Sequence, residues 1–224
     1  MSNIAGKAYA MNVLTPMKPG RTWINRLIFM AARGLPSNLG GLLGLSLIHF
    51  ARWIIVKRNQ WPNPDRPGEK QPVANDYMLF CSNFNGTWDQ YIDAFSDGIP
   101  DGLDLFWYSS TKYPRSIPIT PFKDYITYNQ IDTDYYYNAT PGSAQRDIKS
   151  ALKVYEALRG LTDMHKSAKS ESDKKTFADA YRQALGRIQS CFGDPGFGPV
   201  ASLDTERADE NRKEFVKKIW AEKA

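Results

Sequence analysis

The sequence predicts an α+β fold, with one antiparallel sheet carrying its helices on one face and a helical extension after it. Three observations predict it. Between residues 8 and 108 the patterns run strand, helix, strand, strand, helix, strand, the order of a ferredoxin-like split βαβ unit. Beyond residue 144 only helical spacing recurs. The chain has 224 residues, 42% apolar and 24% charged, close to globular averages and large enough to bury a core without staples. The expected organisation is a core over 1–110, an extension packed on it over 111–160, and a helical C-terminal segment over 161–224.

Each element has its own reason. Residues 8–15 alternate as a short strand, and Pro16, Pro19 and Gly20 punctuate its end. A helix over 20–33 follows from Trp23, Ile24, Leu27, Ile28 and Ala31 at helical spacing, with Gly34 and Pro36 as a stop. A glycine-rich link (37–44) leads to 45–56, an apolar run read as a buried strand. Residues 58–76 are a proline-rich polar loop, and 77–83 form the next strand. After an Asn85-Gly86 turn, Thr87 caps a helix, with Gln90 completing a capping box and Trp88, Tyr91, Ile92 and Phe95 as its buried stripe. Gly98 and Pro100 end that helix, and 103–108 is read as a fourth strand. In the extension, 122–130 reads as a short helix and 133–139 as a tyrosine-rich strand. Helices over about 144–160, 173–191 and 206–221 complete it, with a polar loop at 162–174.

Composition excludes several functions. The two cysteines, Cys81 and Cys191, form no metal or disulfide framework and read as small buried apolar residues. The two histidines, His49 and His165, form no HxxxH or HxH pair, which argues against a multi-histidine metal centre within the chain but leaves room for a single axial haem ligand. No nucleotide-binding glycine motif or nucleophile elbow occurs, and the glycine-rich stretch at 193–199 reads as a loop. The net charge of +5 and pI near 9.1 permit association with an anionic membrane surface. The basic residues are interleaved with acids and form no reading motif, which sets nucleic acid aside as a partner. The N-terminus lacks a signal-peptide run, and a cytoplasmic protein is expected.

Three constellations could carry chemistry. His49 and Arg52 stand in an apolar strand, where a buried polar group needs a partner or a cavity. Strand alternation puts them on opposite faces unless a bulge intervenes. His49 is a candidate general base, proton relay or haem ligand. A satisfied core histidine, and an Arg52 anchored by Asp89 or Asp93, are the more economical readings. Asn83 and Asn85, in the turn after the third strand, can orient a substrate or stabilise the turn itself, and Tyr91 can assist in orientation. Tyr113 and Tyr136, within a tyrosine-rich set, can line a cavity for an apolar or planar ligand or form a dimer interface. Lys112, Arg115 and Lys123 flank that set and could receive a carboxylate. The reading that follows is a small-molecule enzyme: His49, Asn83 and Tyr91 carry the chemistry and Arg52, Asn85, Tyr113 and Tyr136 bind, in a cavity between sheet and extension. The alternatives are a non-catalytic binding or scaffold protein, and a haem protein.

Three motifs carry a resemblance: 12–20 (NVLTPMKPG), 48–53 (IHFARW) and 79–86 (LFCSNFNG), the last followed by Trp88 and Tyr91. They resemble a bacterial family whose members read LTPIKPG, IHFARW and SNFDGSW, over about residues 9–155. That family is similar to the dimeric α/β-barrel superfamily, which includes dye-decolourising haem peroxidases, chlorite-dismutase-like haem proteins and small cofactor-free monooxygenases. The resemblance implies a ferredoxin-like sheet, a homodimer closing its open face, and oxidative chemistry on a small apolar or aromatic molecule. Asn85 stands where the family carries an Asp, which puts any acid–base role at that position in doubt.

Overall fold

The computed structural model describes residues 3–34, 47–189 and 203–222. The element order is β1 (Ile4–Ala5), β2 (Ala8–Pro16), α1 (Thr22–Gly34), β3 (Ile48–Val56), β4 (Trp61–Pro62), β5 (Lys70–Gln71) and β6 (Tyr77–Asn85). There follow α2 (Trp88–Gly98), α3 (Pro100–Trp107), α4 (Ile119–Asn129), β7 (Gln130–Ile131), α5 (Gln145–Ser167), α6 (Glu171–Ile188) and α7 (Leu203–Glu222). The glycine-rich link, the 193–199 stretch and Cys191 lie outside the described residues.

The main sheet is antiparallel throughout, in the order β1-β2-β6-β3. β6 pairs with β2 along its whole length from Ala8 to Pro16, so β1 and β7 share the other edge of β2. β2 and β3 run in the same direction with β6 between them, and α1 makes the crossover. The architecture is α+β and compatible with the ferredoxin-like class. β4 and β5 form a separate two-residue hairpin inside the proline-rich loop.

The strand period of two divides the sheet into two faces. Tyr9, Met11 and Val13 of β2, Met78, Phe80 and Phe84 of β6, and Ala51, Trp53 and Ile55 of β3 meet the helices. Trp88, Tyr91, Ile92 and Phe95 of α2, Leu103 and Trp107 of α3, and Phe122 and Ile126 of α4 close this core. The Thr87–Gln90 capping box forms as the sequence predicts. The Asn-Gly turn reduces to Gly86 at φ +92°, because β6 continues through Asn85.

Several elements differ from their sequence reading. Residues 103–108 belong to helix α3, not to a fourth strand. Pro100 at the first helical turn presets the helical φ, and Leu103 and Trp107, four apart, bury one face. The short β7 takes the outer edge instead. The tyrosine-rich segment 133–139 is not a strand but an irregular strap. Helix α5 runs on to Ser167, and only residues 168–170 separate it from α6. On α1 the inward face is Thr22, Asn25 and Phe29, so Trp23 and Leu27 point outward.

Helix α7 returns to the start of the chain. Asp209 of α7 is buried against the core side of β2, where the Tyr9 hydroxyl donates to its Oδ1 at 2.5 Å. Arg212 and Lys213 pair with the same carboxylate at 3.5 and 2.7 Å. Arg212 also reaches Asp132 at 2.6 Å, and Asn3 Nδ2 donates to Asp132 at 2.9 Å. This network ties the C-terminal helix to the N-terminal strand.

Candidate functional site on the open face of the sheet

The second face of the sheet carries no helix stripe from the core. Register sets its rows: Ala10, Asn83 and Phe50; Asn12, Cys81 and Arg52; Leu14, Leu79 and Ile54. The register shifts between Ile48 and Phe50, so His49 is the extra residue of a β-bulge. Ile48 packs on the core, whereas His49 and Phe50 both turn to the open face. The bulge therefore brings His49 and Arg52 to one face, which regular alternation forbids.

His49 is half-buried, and its Nε2 is buried with no hydrogen-bond partner among the described residues. Burial holds the imidazole pKa below its ordinary value, and the Asn85 side chain, within reach of the ring, opposes this. The ring is therefore neutral at pH 7 and offers an acceptor. Asn83 Nδ2 donates to the Tyr136 hydroxyl at 2.7 Å. Burial raises the Tyr136 pKa, and the Asn83 bond works against that rise. Asn12 Nδ2 donates to Thr133 Oγ1 at 3.0 Å, and Asn138 Nδ2 to the Ala5 carbonyl at 3.0 Å. Three asparagines thus pin the tyrosine strap across this face. Asn85 Nδ2 donates to the Lys7 carbonyl at 2.8 Å, and its Oδ1 accepts from the Gln145 backbone at 2.9 Å. It fixes the start of α5, a positional role that an Asp could fill only by losing the Lys7 bond.

The structure gathers His49, Arg52, Asn83, Asn85 and Tyr136 on this face. It separates Tyr91 and Tyr113 from them. Tyr91 lies in the core on the helix side, stacked on Phe84 at 3.8 Å, with its hydroxyl donating to Ser82 Oγ at 2.6 Å. Tyr91→Phe is expected to cost about 1 kcal/mol of stability. Denaturation midpoints of wild type and variant check this. Tyr113 lines a different cleft of about 390 Å³ with Lys18, Asp104 and Arg115, and its hydroxyl donates to Asp104 Oδ1 at 3.0 Å.

No family model, curated protein or solved structure matches this chain. The site therefore rests on its own geometry. Asp89 and Asp93, expected partners of Arg52, instead hold Lys123 at 2.9 and 2.8 Å. That pairing also removes Lys123 from the residues that could receive a carboxylate. Arg52 is exposed and forms no ion pair among the described residues. Among the described residues no cluster of His, Cys, Asp and Glu could hold a metal ion, and no helix is long and apolar enough to cross a membrane.

Sequence reasoning missed Asn12. Its polar side chain sits in an apolar strand, in phase with the open face, and that phase is its signal. His165, the second histidine, is exposed on α5 with its ring 5.4 Å from Phe177.

Proposed function

We propose that the open face binds a small apolar or aromatic molecule, that His49 serves it as acid–base group, and that a second copy of the chain closes the face. The supporting observation is His49 itself: an imidazole brought to this face by a bulge, with a buried Nε2 that meets no partner among the described residues. Leaving such an atom unpaired costs about 1–3 kcal/mol, which a ligand donor would recover. Phe50, its ring 6.3 Å from the imidazole, and Ile54 and Ile131 elsewhere on the sheet supply exposed apolar surface. The asparagine-pinned strap supplies Tyr136 as a further polar contact. The closing second copy, a dimeric α/β-barrel arrangement on the ferredoxin-like sheet, and the oxidative nature of the chemistry follow from the motif resemblance alone. The same resemblance admits haem. His49 would then hold the iron, as the histidine with a buried, unpartnered ring nitrogen, and Arg52 would answer a carboxylate of the group.

Native mass spectrometry with an absorption spectrum of the same sample tests the reading. The expected result is a dimer of the 25.4 kDa chain with a small bound molecule that His49→Ala loses at an unchanged melting temperature. A Soret band would name that molecule haem. A ligand-free monomer, or a ligand retained in His49→Ala, would sink the reading. The exposed Tyr135 and Tyr137 (82% and 73%) would then point to a protein partner.

A further inference from the structure

Helix α1 presents an apolar stripe to solvent. Trp23, Leu27 and Met30 are spaced i, i+4, i+7, so they fall on one narrow arc of the helix. They are 62%, 54% and 69% exposed. The opposite arc does the packing: Phe29 meets Trp53 and Phe106, and Asn25 Nδ2 donates to the Phe106 carbonyl at 2.7 Å. The exposed stripe is therefore surplus to the core. Large apolar side chains lined up in solvent mark an interaction surface.

Beside the stripe lies a cleft of about 460 Å³ lined by Lys18, Trp23, Arg26, Lys57, Arg58 and Asp76. Four of these carry positive charge and one negative. Asp76 is already engaged, accepting from the Thr22 hydroxyl and, at 2.8 Å, from the Arg58 backbone N–H. Burial would raise its pKa, but those bonds, with Lys57 and Arg58 nearby, hold it below the ordinary carboxylate value. The side chains of Arg26, Lys57 and Arg58 meet no carboxylate within ion-pair distance among the described residues. At the cleft's edge Lys18 and Arg21 lie over the half-exposed Tyr108 ring, at 5.4 and 5.7 Å from its centroid.

An exposed Trp/Leu/Met stripe bordered by unpaired Lys and Arg, with a Tyr at the rim, has the chemistry of a helix lying in a membrane interface. The aromatic rings and aliphatic chains suit the boundary between headgroup and acyl chain. The cations suit anionic phosphate. We propose that α1 and its neighbouring cleft dock this protein on an anionic lipid surface, with lipid phosphate in the cleft and Trp23, Leu27 and Met30 in the interface. This site is on a different element from the open sheet face, so the two readings stand or fall separately.

Sedimentation with vesicles tests it, using phosphatidylcholine alone and phosphatidylcholine mixed with phosphatidylserine. The protein is expected to sediment with the mixed vesicles, to be released by salt, and to show a blue shift of Trp23 emission that Trp23→Phe removes. Arg26→Ala and Arg58→Ala each replace an exposed, unpaired side chain and are each expected to lower vesicle affinity roughly fivefold. Leu27→Glu should abolish insertion at an unchanged melting temperature. Failure to bind mixed vesicles overturns the proposal. So does binding to soluble glycerol phosphate without vesicle binding, which would assign the cleft to a free phosphate ester. A Leu27→Glu variant that turns a dimer into a monomer while vesicle binding persists would assign the stripe to a second copy.

Discussion

Replacing Asp209 with alanine is expected to cost about 3 kcal/mol or more, the range for removing one partner of a buried ion pair. The carboxylate is buried and accepts from Tyr9 while facing Arg212 and Lys213. Removing it takes away the acceptor of the buried Tyr9 O–H, leaving that oxygen the 3.4 Å bond it accepts from Asn3 Nδ2. It also leaves a buried guanidinium with Asp132 as its remaining counter-charge. The thermal midpoint should fall by on the order of 10 °C for a chain of this size. The loss should also depend on pH. Burial alone would raise the Asp209 pKa, but Lys213, Tyr9 and Arg212 outweigh it and hold the value below the ordinary one. The folded pKa therefore lies below the unfolded value of about 3.9. The stabilisation is full above that value and is lost as pH falls through the folded pKa. Urea midpoints of wild type and Asp209→Asn should differ at pH 7 and converge in acid. An equal gap at both pH values would show that the charge of Asp209 is not what matters.

Trp107→Ala is expected to cost about 3–5 kcal/mol through the cavity it opens. The indole is 1% exposed and packs edge-on against Phe80 at 4.9 Å and Trp53 at 5.7 Å. Trp53 in turn packs on Phe29 and Phe106, so one cluster joins α1, α3, β3 and β6. Trp107 Nε1 has no acceptor among the described residues. Trp107→Phe keeps most of the packing and deletes an unpaired donor, so it should cost far less than alanine. Urea denaturation of both variants measures the difference. Equal losses would mean that the indole N–H contributes something the packing does not show.

The features legible in the sequence are the local ones. The Thr87–Gln90 box closes within four residues, and β2 and β6 announce themselves by apolar content bounded by turn residues. Where two local readings competed, tertiary context decided. The apolar run 103–108 is too short for periodicity to separate strand from helix. Pro100 both ends α2 and starts α3, and only the first role was visible. On α1 the spacing identified apolar residues but not which of two arcs the core would take. Thr22 and Asn25 take the inner arc, where the Thr22 hydroxyl donates to Asp76 and Asn25 Nδ2 to the Phe106 carbonyl.

The candidate site was half legible for a similar reason. His49, Arg52 and Asn83 stood out as polar residues in apolar strands. Their meeting on one face needed the bulge, and a bulge belongs to the pairing of two strands rather than to either sequence. Tyr91 carries the same motif signal as its neighbours, but the helix phase that marked it as part of the buried stripe is what decides, and it lies in the core. Nothing in the sequence joins Asn3 and Tyr9 to a residue some 200 positions later.

That last connection bears on how the chain is made. Synthesis runs from the N-terminus, and strands leave the ribosome in the order of their codons. β2 emerges among the first segments, yet the carboxylate that receives its Tyr9 hydroxyl comes at position 209. Contacts of such separation raise the contact order and slow closure. Through most of translation, the Tyr9 end of the sheet is therefore waiting for its last helix.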